Sequence, residues 1–117
     1  GEIEALNVFR QTTFPLCFFG HSHFPVVFGL SSDAIHTVLT EGSAFRFHLE
    51  PGMRYLVNPG SIGQPRDGNP MASFAMLDTD TRTVTIYRVP YRIARAQQRI
   101  LHAGLPRPLA DRLALGR

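Results

Sequence analysis

Lysine is absent from this sequence: all twelve basic residues are arginine, set against nine acidic ones for a formal charge of +3. The arginines are scattered from Arg10 to Arg117 and form no local cluster. That excludes the dense basic patch with interleaved aromatics that nucleic-acid binding requires, so nucleic acid is not indicated. A modestly basic surface still suits anionic substrates. Cysteine is nearly absent too. Cys17 stands alone, so no internal disulfide can form, and its place in an apolar run reads as a small buried thiol rather than a nucleophile. No run has the length of a membrane span, and the first residues lack the charged-then-apolar pattern of a secretory signal. The expectation is a cytoplasmic chain with no membrane partner. Internal repeats and low-complexity tracts are also missing. With 44% apolar and 18% charged residues, the 117 residues suit one domain, or part of one, with a modest core.

What is present centres on Phe14 to Pro25. The apolar run Leu16 to Phe19 predicts a strand buried on both faces, ending at Gly20. Just beyond it stand His21 and His23. A strand is a rigid platform, and the loop at its tip is where binding and catalytic groups are commonly carried. If that loop stays extended, residues two apart share a face and the two imidazoles converge.

Around this stretch the pattern predicts a helix over Glu2 to Gln11, with Ile3, Leu6 and Phe9 at helical spacing and acidic residues at its start. Strands are expected at Val26 to Leu30, Ala34 to Thr40, Phe45 to Leu49 and Tyr55 to Asn58. The third of these alternates Phe45, Phe47 and Leu49 with Arg46, His48 and Glu50, the period of a half-buried strand. Ala72 to Leu77 reads as another central strand, paired in a hairpin with Val84 to Val89. Ile93, Ala96, Ile100 and Leu101 mark an amphipathic helix with Gly104 as its C-cap, and a short last helix is expected over Leu109 to Leu115. The layout is a sheet-rich α+β unit.

Two segments carry possible chemistry. Imidazole nitrogen ligates Zn, Mn, Fe, Ni or Cu, and a His-x-His pair on a strand tip offers two ligands at once. Equally, one histidine can be a hydrogen-bonded loop residue. His48 faces outward, His102 lies late in a helix, and His36 has no assignable face, so these three are poorer candidates. The second segment, Asn58 to Pro70, is too rich in Gly and Pro for regular structure. It reads either as an elaborate strand connection or as a ligand loop, in which Arg66 reaches an anion and Asn58 and Ser61 add neutral hydrogen-bonding groups. For Arg66, a pairing with a carboxylate such as Asp67 is the competing reading.

Together, Gly20-His21-Ser22-His23-Phe24-Pro25 and Asn58-Pro59-Gly60-Ser61-Ile62-Gly63-Gln64-Pro65-Arg66-Asp67-Gly68 resemble the calcineurin-like metallophosphoesterase superfamily, above all its small bacterial and archaeal phosphodiesterase-like members. The order of the motifs, the strand hairpin after them and the tail Ala103-Gly104-Leu105-Pro106 extend the likeness over most of the chain. Arg92 departs from it, standing where such proteins often carry an aspartate able to cap the following helix.

The resemblance implies that His21 and His23 bind metal, one to each ion of a two-metal centre using Mn, Fe, Ni or Zn. It implies hydrolysis of phosphomonoesters or phosphodiesters, nucleotides among them, with Asn58, Ser61 and Arg66 lining the substrate cleft. It equally shows what is missing. The family's Asp-x-His, bridging Asp and Gly-Asn-His motifs have no counterpart here: Asp33-Ala34-Ile35-His36 is one residue too long, and Gly68-Asn69-Pro70 lacks the histidine. Residues 1–117 therefore resemble the C-terminal portion of one metallophosphoesterase domain, half of a two-sheet sandwich with flanking helices. Such a half is expected to be inactive alone and to need the N-terminal half, or another copy of itself, against its open strand edges. The alternative is a catalytically silent assembly or regulatory module that keeps the fold. A cupin barrel is set aside, since no glutamate follows the second histidine between Pro25 and Leu30.

Overall fold

The computed structural model describes residues 1–117. Helix α1 runs over Glu2–Gln11, as the pattern predicts, but it buries a different stripe. Ala5 and Phe9 face the protein, while Ile3 points to solvent. Arg54 caps the helix: its guanidinium donates to the Phe9 carbonyl at 2.7 Å, the Phe14 carbonyl at 2.9 Å and the Thr12 hydroxyl at 3.0 Å. A cation at a helix C-terminus satisfies carbonyls that the helix itself leaves open.

Seven strands follow: β1 Leu16–Phe18, β2 Val26–Ser31, β3 Ala34–Leu39, β4 Ala44–His48, β5 Arg54–Asn58, β6 Ala72–Asp78 and β7 Thr83–Val89. They form two sheets, ordered β1-β5-β2-β3 and β4-β7-β6. All pairings are antiparallel except that of β1 with β5. The sheets pack face to face through Val27, Tyr55 and Val57 on one side and Val84 and Ile86 on the other. The opposite face of the first sheet is covered by α1, where Ala5 and Phe9 meet Phe28 and Leu56. The architecture is a two-sheet α+β sandwich.

Two strands sit elsewhere than their sequence suggests. β1 is an edge strand rather than one buried on both faces, with Phe18 40% and Phe19 36% exposed. β6 is likewise an edge, leaving Met76 and Leu77 open. Continuous apolar character reports that a strand face is meant to be covered, not that this chain covers it. On the far side, His36 lies opposite Gly29 on the inner face of β3 and is exposed there.

Beyond β7, α2 spans Ile93–His102 and α3 spans Arg107–Asp111, followed by a 3₁₀ turn over Arg112–Leu115. Gly104, at φ +74°, closes α2 in a Schellman arrangement: Leu105 N–H bonds to Ile100 O and Gly104 N–H to Leu101 O. The tail returns to the body at Gly116, whose carbonyl accepts from Gly68 N–H at 3.0 Å. The approach is close enough that a Cβ on Gly116 would meet Asn69 N at 2.7 Å.

Candidate metal and phosphate site

β1 and β5 are parallel neighbours, so the loops that follow them leave the same end of the sheet. One carries Gly20 to Pro25; the other carries Asn58 to Pro70. That topology is why two segments far apart in sequence meet. Their junction is built from buried polar bonds. Asn58 is 0% exposed; its Nδ2 donates to Ser22 Oγ at 2.9 Å and its Oδ1 accepts from Gly60 N–H at 3.0 Å. Gly60 turns at φ +84°, and a Cβ there would lie 2.7 Å from Ser73 Cβ. Ser73 locks the crossing by donating to Pro59 O at 2.6 Å and, through its N–H, to Ser61 O at 2.9 Å.

The histidine loop is not extended. His21 and His23 both have positive φ, 86° and 60°, a region that side chains other than glycine enter at a cost. His23 is half-buried and His21 exposed. The ring of His23 is oriented by a single bond, Nδ1 to the Gln64 carbonyl at 2.8 Å. A carbonyl only accepts, so Nδ1 carries the proton and, in the neutral ring, Nε2 holds the free lone pair. Orienting an imidazole through its second nitrogen is how proteins prepare a histidine for metal. Arg66 N–H returns the link by donating to His23 O at 3.3 Å.

The remaining predicted residues fall close by. Ser61 Oγ accepts from Gln64 N–H at 2.9 Å and Gly63 N–H at 3.2 Å, which leaves its hydroxyl proton to donate. Arg66 is exposed, and its guanidinium bonds only to the neutral Gln64 Oε1 at 2.9 Å. The carboxylate expected for it is engaged elsewhere, because Asp67 binds Arg88. Asn58, bonded through both its amide nitrogen and its amide oxygen, ties the loops together and does not face solvent. His36, His48 and His102 are all exposed and stand outside this junction.

Sequence reading gave no role to Gln64 or Arg88, and it offered Asp67 to Arg66 rather than to Arg88. Nothing local marks them: a backbone carbonyl leaves no trace in sequence, and the Asp67–Arg88 pair spans the loop and β7. As a donor set, His21 and His23 fit part of a metal centre. No three His, Cys, Asp or Glu side chains gather anywhere in the chain.

No family model matches the chain. An uncharacterised protein of Methanocaldococcus jannaschii is 42% identical over 102 residues, covering 87% of this chain and 40% of that protein. The crystal structure of a metallophosphoesterase from Sphaerobacter thermophilus superposes with a TM-score of 0.83 at 39% identity, over 97% of this chain and 46% of that one. The chain has the fold of part of a metallophosphoesterase. The match is consistent with the C-terminal half of that fold, and the chain spans less than half the length of either relative. No helix here is long and apolar enough to cross a membrane.

Proposed function

We propose that this chain is the part of a metal-dependent phosphoesterase that supplies His21 and His23 as ligands, one to each of two divalent ions. The observation that carries the reading is the His23 ring, held at Nδ1 by Gln64 with Nε2 left free, beside an exposed guanidinium without a carboxylate partner. Mn, Fe, Ni or Zn each suit imidazole with carboxylate ligands, and such ions would neutralise charge on a phosphoryl group. Within this chain, His21 and His23 hold metal, Arg66 draws in and orients the phosphoester anion, and Ser61 can donate a hydrogen bond to it. Asn58 acts indirectly, by fixing the loops that carry the others. Two imidazoles leave most ligand positions to be filled, so the complete site requires the family's N-terminal motifs, and this chain alone is inactive. The substrate class is a phosphomonoester or phosphodiester, nucleotides included, and the setting is cytoplasmic.

The test is hydrolysis of bis-p-nitrophenyl phosphate with added manganese, by this chain and by a longer protein carrying upstream Asp-x-His and Gly-Asn-His motifs. The longer protein is expected to be active and to lose at least about 100-fold in the His21→Ala, His23→Ala double variant. Activity in the isolated chain, or full activity in the double variant, would overturn the reading.

A second reading has its own support. The exposed rings of Phe18, Phe19 and Phe24, near an unpaired strand edge, suit an assembly or regulatory module that docks on the N-terminal half or on another copy. A longer protein that binds manganese yet cleaves no phosphoester would favour it.

A further inference from the structure

Arg88 is an unusual residue to find where it is. It lies on β7, in the second sheet, with its side chain only 5% exposed, and it points toward the loop that follows β5. It makes a two-pronged ion pair with Asp67, whose side chain is 14% exposed: Nη1 bonds to Oδ2 and Nη2 to Oδ1. The same Nη2 donates to the carbonyls of Asn69 at 2.8 Å and Met71 at 2.9 Å. Only Nε lacks a partner. A guanidinium fork is suited to this work, because its rigid plane fixes several acceptors relative to one another.

The pinned segment, Asp67 to Met71, continues directly from Gln64-Pro65-Arg66. Gln64 orients the His23 ring and Arg66 both clasps the His23 backbone and presents its own guanidinium. Pro65 between them is buried with its φ fixed, which leaves this short segment few ways to absorb a displacement at Asp67. We infer that Arg88 is a positioning residue: through Asp67 and the Asn69 and Met71 carbonyls it holds the Gln64 carbonyl against His23, and so fixes which ring nitrogen is free. The value of that nitrogen as a metal ligand rests on the function proposed above; its orientation by Arg88 does not.

The experiment uses ¹⁵N–¹H spectra of the histidine rings in this chain, without metal or substrate, at about pH 8.5, about two units above the reference imidazole value. The unaltered chain is expected to show His23 as one tautomer, with the proton on Nδ1. In Arg88→Met and Asp67→Asn, with amide signals of β5 and β7 unchanged, His23 is expected to lose that signature and sample both tautomers. Arg88→Lys keeps the charge without the fork and is expected not to restore it. The exposed His36 ring serves as the internal control and should not respond. A single Nδ1–H tautomer persisting at His23 in folded Arg88→Met or Asp67→Asn overturns the inference. So does unfolding of both variants, which would make the pair a determinant of the fold alone. Because no metal or ester is involved, this result can fail while the phosphoesterase reading stands, and the reverse.

Discussion

At Gly60 the chain has almost no freedom of choice. Its φ of +84° disfavours any side chain, and the added carbon would press on Ser73 and on Pro25 Cδ at 3.3 Å. Gly60→Ala is therefore expected to destabilise the chain by about 2–3 kcal/mol, combining backbone strain with the displacement of Ser73. Urea unfolding of the variant checks this; a change below about 0.5 kcal/mol would show that the crossing relaxes freely. The same contact explains what sequence could convey about the site. The Gly-Pro density of residues 58–70 announced irregular backbone, and the His-x-His pair announced a possible ligand. The left-handed backbone at His21 and His23 was not legible, since such conformations are ordinarily flagged by glycine. Nor was the fate of Asp67: adjacency suggested Arg66 as its partner, whereas burial gave it to Arg88. Burial decides such competitions, because a charge removed from water must be paired.

Secondary elements were far more legible than their neighbours. Hydrophobic period is a local property, and β2, β5, β7, α1 and α2 lie within a residue or so of their predicted bounds. Strand order is not local. Whether Leu16 to Phe19 lies at the centre or the edge of a sheet depends on strands outside the run itself. Helix α2 shows a different kind of shortfall. Its C-terminus is well closed at Gly104, but Arg92 at the N-cap makes no side-chain bond and the first turn holds no acidic residue. Arg92→Asp is expected to stabilise α2 by about 1 kcal/mol, the carboxylate accepting from a free N–H and complementing the helix dipole. Slower amide exchange within α2, with the sheets unaffected, would confirm the effect. Unchanged exchange would mean that the helix end is set by its packing on α3.

The whole molecule is stretched. Its extents are 50 × 28 × 19 Å and its radius of gyration is 16.2 Å, against about 13 Å for a compact chain of this length. Helix α2 packs against α3 and the 3₁₀ turn rather than against the sheets, and the flanks of β1 and β6 leave apolar surface without a partner within the chain. The isolated chain is accordingly expected to self-associate with rising concentration, and Phe18→Ser with Phe19→Ser to weaken that association. Sedimentation velocity across a concentration series distinguishes this from a monodisperse monomer, which would contradict it. The tail adds a second tie to the loop. Gly116 lies against the Gly68–Asn69 segment and accepts a backbone hydrogen bond from it, and α2 belongs to the same C-terminal arm. A shift of the loop that holds His23 therefore bears directly on the end of the C-terminal arm. A spin label at His102, exposed and outside the loop junction, would measure whether α2 follows that loop.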